Sequence, residues 1–290
     1  LQTRYEFLSV LGTGCLSKVH LVKRRYDGKL YACKESDCKN AKPQQKTLFL
    51  KEAEVMKDLK HDNIVEYVEQ QYDEENGILY IVLGFCDGGN LTEYAENLNS
   101  KKQFATENFI WSTAHQLLLG LNYLHNEARK DEIIIHRDLS PNNVFFSKSG
   151  HVYLGDFGFV QVLDRNSDSG IAVQDFEKMY ASILAPRQLP LEILQFKNYN
   201  EKVDVWCMGV CLFFLTVTVE PYIEKKLDQL LIKVQNEDRP NIPDIYSTEL
   251  KSFISQLLTL DPANRPSVLE LLQHPKFQST PMVEQVMKIE

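Results

Sequence analysis

His136-Arg137-Asp138-Leu139-Ser140-Pro141-Asn142-Asn143, with Asp156-Phe157-Gly158 thirteen residues beyond Asn143, is the stretch whose reading decides the fold. It supplies an aspartate, an asparagine five residues further on, and a second carboxylate beside a glycine. Asn143 and Asp156 offer the hard oxygen atoms that Mg²⁺ takes, since that ion binds through one or two protein oxygens plus phosphates and water. Each short motif arises easily by chance, but the order and the separation together do not.

Working upstream, Tyr31-Ala32-Cys33-Lys34 places a lysine in the middle of a β-rich run. Glu52 and Glu54 lie on the next segment of helical period and are both candidates to pair with it. A lysine held by a glutamate across a strand and a helix presents a fixed ammonium to phosphate oxygens. Further upstream, Gly12-Thr13-Gly14 falls between two strand-like runs, Tyr5 to Leu11 and Val19 to Val22. That places it in a hairpin turn, where small residues let backbone N–H groups approach phosphates. The third glycine of a G-x-G-x-x-G pattern is Ser17 here.

The remaining pattern changes along the chain. Leu30 to Lys34, Ile64 to Tyr72 and Ile78 to Leu83 read as strands, and Gln44 to Lys60 as a helix with Leu48, Ala53, Val55, Met56 and Leu59 on its apolar face. After Gly88-Gly89 the chain becomes mainly helical: a long helix from Ala105 to about Asn126, then helices over 202–219, 225–236, 248–259 and 266–273. Strands first and helices later predict an α+β, two-lobed layout. The 290 residues are 43% hydrophobic and 25% charged, ordinary for a globular chain, and the net charge of −8 argues against nucleic acid as the main ligand. Six cysteines show no metal-ligand spacing and predict free thiols in a reducing compartment. Val205 to Val219 is too short for a membrane span and reads as a buried helix. The opening Leu1-Gln2-Thr3-Arg4 reads as a domain trimmed from a longer protein.

With these residues in place, the chain from about 5 to 277 resembles a eukaryotic protein kinase. The resemblance implies a bilobal kinase domain over 1–277, with a small lobe at 1–84, a hinge at 85–89, a large lobe at 90–277 and a tail or linker at 278–290. It implies that Leu11, Gly12, Thr13, Gly14 and Val19 belong to the loop over the phosphates of ATP. Lys34 would pair with Glu52, preferred over Glu54 because it stands nine residues before His61, as is usual in the family. The backbone of Gly84 to Cys86 would bind adenine, with Leu83 as gatekeeper and Val19, Ala32 and Phe145 sandwiching the ring. Asp138 would take the proton of the substrate hydroxyl, and Asn143 and Asp156 would hold Mg²⁺. Pro190-Leu191-Glu192, Asp204 and Arg265 are similar to the family's peptide-docking lobe. Phe109-Ile110-Trp111, the polar insertion Asn126 to Glu132, and Asn143-Val144-Phe145-Phe146 with Leu154-Gly155-Asp156-Phe157-Gly158 resemble the NIMA-related (Nek) group. The activity implied is ATP- and Mg²⁺-dependent phosphorylation of protein substrates on serine or threonine inside the cell, in the cytoplasm with cytoskeletal or nuclear association open. Phe159 after Asp156-Phe157-Gly158 points to serine.

Several positions depart from the family pattern. Ser140 stands where serine/threonine kinases carry a lysine, and losing that charge costs about 2–4 kcal/mol in the transition state, about a hundred- to a thousandfold in rate. Gly84 replaces an acidic hinge residue, and Ala185-Pro186-Arg187 with Pro190-Leu191-Glu192 is an unusual docking segment. Ser167, Ser169, Tyr180 and Ser182 lie in the segment before it and are candidate phosphorylation sites that would pair with Arg137. An active serine/threonine kinase is therefore the first expectation, and a catalytically weak or inactive nucleotide-binding scaffold the alternative.

Overall fold

A computed structural model describes residues 1–14, 17–166, 189–224 and 226–278. Its first part is a five-stranded antiparallel sheet in the order β1-β2-β3-β5-β4. The strands are β1 (Tyr5–Thr13), β2 (Ser17–Arg24), β3 (Leu30–Asp37), β4 (Tyr67–Asp73) and β5 (Ile78–Gly84). Helix α1 (Pro43–Asp58) crosses between β3 and β4.

The period of two along a strand sorts the side chains of this sheet between two cores. Tyr31 and Cys33 on β3 join Tyr80 and Val82 on β5 in a small outer core. Leu79, Ile81 and Leu83 point the other way, into the main core with Ala53, Val55 and Met56 of α1. Ala32 packs against that main core, and Lys34, two residues on, shares its face of β3. The alternation thus turns Lys34 toward α1 and Glu52.

The second part is helical. Helix α2 (Leu91–Ser100) is capped by Asn90, whose side chain accepts from Glu93 N–H at 2.9 Å. Helix α3 (Glu107–Asn122) is capped by Thr106. The helix Lys202–Val217 is apolar on every side and its residues Val203 to Phe213 are all buried, as expected of a helix at the centre of a lobe. Among the described residues no helix is long and apolar enough to cross a membrane. Three short helices, Leu227–Gln235, Thr248–Leu257 and Val268–Leu272, complete this part, with terminal turns at Leu191–Leu194 and Pro275–Gln278.

The sequence pattern and the structure differ in several places. Gly12 and Thr13 extend β1 rather than forming the turn, with Gly12 opposite Val19. Ile64 to Glu66 are not strand: β4 begins at Tyr67, and Ile64 instead makes a lone bridge to Leu154. The long helix does not run as α-helix to Asn126. It ends at Asn122 and widens into a π-helical turn, Tyr123–Glu127, which aims His125 into the core. Four short strands were not legible: β6 (Glu132–Ile135) pairs with β9 (Gln161–Asp164), and β7 (Val144–Phe146) with β8 (Val152–Leu154).

Candidate active site

The two parts meet at Lys34. Its ammonium donates to Glu52 Oε1 at 2.7 Å and Oε2 at 2.9 Å, and to Asp156 Oδ1 at 2.8 Å. Glu52 is 1% exposed and Lys34 8%, whereas Glu54 is exposed, so burial selects Glu52 of the two candidates. Burial disfavours the charge on Lys34, yet Asp156 and Glu52 outweigh it and hold the ammonium above its usual range. Burial raises Glu52 despite Lys34. Burial also works against ionised Asp156, but Lys34 and the Gly158 N–H at 3.2 Å keep that carboxyl below its usual value.

The loop that carries Asp138 hangs from Asp204, which is fully buried at the start of the central helix. Asp204 Oδ2 accepts from the His136 N–H at 2.9 Å and Oδ1 from the Arg137 N–H at 2.8 Å. His125 Nε2 donates to Asp204 Oδ2 at 2.8 Å, and this bond leads the interactions that keep the carboxylate ionised against burial. Arg137 and Asp156 both adopt left-handed backbone, at φ 65° and 55°. Such conformations cost of order 1–3 kcal/mol and persist where surrounding bonds impose them, commonly at functional sites. At Arg137 the anchors are Asp204 together with side-chain bonds to Phe159 O (2.6 Å) and Tyr199 Oη (2.9 Å).

Asn143 Nδ2 donates to the carbonyl and to Oδ2 of Asp138, each at 2.8 Å. The amide oxygen of Asn143 accepts no bond among the described residues, and neither does Asp156 Oδ2. Those two oxygens fit a small divalent cation that takes few protein ligands and completes its shell with phosphate and water. Burial, then the charge of Asp156, push the Asp138 carboxyl up to about 8, with the Asn143 bond opposing them. His136, kept neutral by burial, donates from Nε2 to Gly155 O at 3.0 Å and so ties this loop to the residue before Asp156.

Sheet register sets several of the residues expected around a nucleotide beside one another. Ala32 lies opposite Leu83 in the sheet, Tyr31 opposite Gly84, and Val19 opposite Lys34. Leu11 is 46% exposed on β1. Gly14 N–H donates to Ser17 O at 2.7 Å, so the hairpin closes with serine in the third glycine's place. Cys86 and Phe145 are half-buried against the main core. Ser140 is 6% exposed and its carbonyl accepts the Asn143 N–H at 2.9 Å. Glu192 meets Arg265 in a buried bidentate pair at 2.7 and 3.2 Å. Ser167, Ser169, Tyr180, Ser182 and Ala185-Pro186-Arg187 lie outside the described residues.

Two residues with a part in this geometry carried no reading of their own in the sequence. His125 serves through its bond to Asp204, and only the π-helical turn brings it there. Gly155 has Phe145 ring atoms at 2.7 and 2.9 Å from where a Cβ would stand. Its place before Asp156-Phe157-Gly158 was the available signal.

A family profile described as protein kinase domain matches residues 5–277. Among curated proteins the chain is 33% identical over 271 residues to probable serine/threonine-protein kinase nek2 of Dictyostelium discoideum, covering 93% of this chain and 62% of the relative. It is 32% identical over 271 residues to serine/threonine-protein kinase Nek2 of Homo sapiens, covering 93% and 59%. With G2-specific protein kinase nimA of Emericella nidulans it shares 27% identity over 294 residues, covering 94% and 41%. The chain therefore spans about three-fifths of the length of the first two relatives.

Proposed function

From the premise that this chain belongs to the protein kinase family, we propose that it transfers the γ-phosphate of ATP to serine, or threonine, hydroxyls of protein substrates. The observation that carries the reading is the three-way contact of Lys34 with Glu52 and Asp156 beside the Asp138–Asn143 pair. A phosphoryl-transfer site works mainly by positioning and by neutralising charge, and these residues serve both ends.

The Lys34 ammonium, fixed by Glu52, binds α- and β-phosphate oxygens. Asn143 and Asp156 would hold a divalent cation, which we assign as Mg²⁺. When bound, that ion offsets the negative charge that builds on the phosphates. Val19, Ala32 and Phe145 enclose the adenine, Leu83 closes the rear, and backbone from Gly84 to Cys86 bonds its edge. Leu11, Gly12, Thr13 and Gly14 cover the phosphates. Asp138 orients the acceptor hydroxyl and takes its proton. We assign residues 1–84 to the small lobe, 85–89 to the hinge and 90–277 to the large lobe. An intracellular location, in the cytoplasm, is supported by the free cysteines among the described residues.

The kinase names of the relatives favour turnover over a silent nucleotide-binding scaffold. The test is ATP-dependent phosphorylation of generic protein substrates by the wild type and by Asp138→Asn. Transfer by the first that falls at least a hundredfold in the second supports the reading. Equal background in both rejects it.

A further inference from the structure

Phe145 follows Val144 on β7 with its ring half-buried, and Gly155 follows directly on β8, the partner strand. A Cβ at 155 would stand 2.7 Å from Phe145 Cε2, 2.9 Å from Cδ2 and 3.0 Å from Val65 Cγ2. Real carbon contacts near 3.5–4.0 Å are the closest that cost nothing. The ring therefore rests in space that exists only because residue 155 has no side chain. Gly155 is also held through its backbone on both sides. Its N–H donates to Asn143 O at 2.9 Å and its carbonyl accepts from His136 at 3.0 Å. The backbone of 155 cannot retreat from an added methyl without disturbing its bonds to Asn143 and to His136. The Phe145 ring is the freer party, because it is only partly buried.

We infer that Gly155 is a positioning residue for the nucleotide: by leaving room for the Phe145 ring, it sets the height of the floor on which adenine stacks. This rests on the reading of the cleft as an ATP site. A methyl at 155 lifts the ring toward the base and narrows the slot, while Lys34, Glu52 and Asp138 stay where they are.

The experiment is a double-mutant cycle with Gly155→Ala and Phe145→Leu, read by binding of a fluorescent ATP analogue and by KM for ATP against kcat. Gly155→Ala alone is expected to weaken nucleotide binding and raise KM by about tenfold or more, as overpacking does, with a smaller change in kcat. In the Phe145→Leu background the same substitution is expected to change binding by less than about threefold, since the shorter side chain leaves the methyl room. Thermal melting of all four proteins separates loss of affinity from loss of fold. The inference is overturned if Gly155→Ala leaves KM unchanged, or if its penalty is equal in both backgrounds. An equal penalty in kcat would trace instead to the backbone of Asn143 and Asp156. A wild type that binds no nucleotide would refute the ATP-site reading itself, an outcome distinct from either.

Discussion

Lys34 Nζ lies 2.8 Å from Asp156 Oδ1 and so closes the cleft between the strand lobe and the helical lobe across 122 residues of chain. The same ammonium is bound by Glu52, so one cation is shared by two carboxylates. Removing it leaves a fully buried glutamate without its partner, a change that destabilises by about 3–5 kcal/mol where the site cannot relax.

Lys34→Met is therefore expected to lower both transfer activity, by at least about a hundredfold, and the melting temperature. Glu52→Gln retains an acceptor for Lys34 and should cost less of each. Parallel melting curves and initial rates check the order. Equal melting temperatures for wild type and Lys34→Met would show that Glu52 takes up a proton at no cost to the fold.

The bond between Glu192 and Arg265 is of another kind, since it touches no substrate. All the guanidinium N–H groups of Arg265 find acceptors: Glu192 twice, and the carbonyls of Thr259, Lys202 and Leu260. Lysine has no planar fork with which to repeat this. Arg265→Lys should lower the melting temperature by roughly 6–20 °C, from about 3–5 kcal/mol at 2–4 °C each. ATP KM should be little changed in the protein that remains folded. A shift under 2 °C would contradict the structural weight placed on the pair.

Asp204 is expected to act on rate through the loop it suspends. In Asp204→Asn one side-chain oxygen must replace two, so either His136 or Arg137 loses an acceptor, at about 1.5–3 kcal/mol. Arg137 is held at φ 65°, and loosening it releases the backbone next to Asp138. The expected result is a kcat lower by about ten- to a hundredfold with KM for ATP changed far less. A change confined to KM would mean that the loop keeps its shape without Asp204.

How much of this was readable beforehand follows from the length of each signal. The strands that carry Lys34 and Leu83 and the helix that carries Glu52 run for seven residues or more, long enough for period-two and helical patterns to show. The hairpin β7–β8, which sets Phe145 beside Gly155, has strands of three residues and shows no period. The π-helical turn at Tyr123–Glu127 continues an apolar pattern that reads as plain α-helix. Its departure is paired with a tertiary partner, Asp204, that lies 79 residues away from His125. The spacing of Asp138, Asn143 and Asp156 singled these residues out, and the fold places Asn143 against Asp138. The network that holds them was not legible, because it is written in long-range hydrogen bonds.

Asp138 gives a pH prediction. Burial first, then the charge of Asp156, push its carboxyl up to about 8, and a general base works only when ionised. Transfer efficiency, measured as kcat/KM for ATP, should therefore rise with pH and level off above about 8, lying about a hundredfold lower at pH 6. Initial rates from pH 5.5 to 9 check both limbs. A flat kcat/KM across that range would remove Asp138 as the titrating base.

Ser140 decides how fast such a site runs. It stands two residues past Asp138, is 6% exposed, and its carbonyl takes the Asn143 N–H, so its backbone is part of the loop while its side chain brings no charge to the transferring group. A preorganised donor at such a position is worth about 2–4 kcal/mol in the transition state. Ser140→Lys is expected to raise kcat by about tenfold or more. The gain stays below the full thousandfold because the long side chain must leave a buried position to reach the phosphate. The same substitution made with Asp138→Asn should show no gain, since a charge clamp cannot replace the base. If Ser140→Lys leaves kcat unchanged while the protein melts as the wild type does, another group already supplies the charge, or a step other than transfer sets the rate. Single-turnover rates with bound ATP separate these two outcomes.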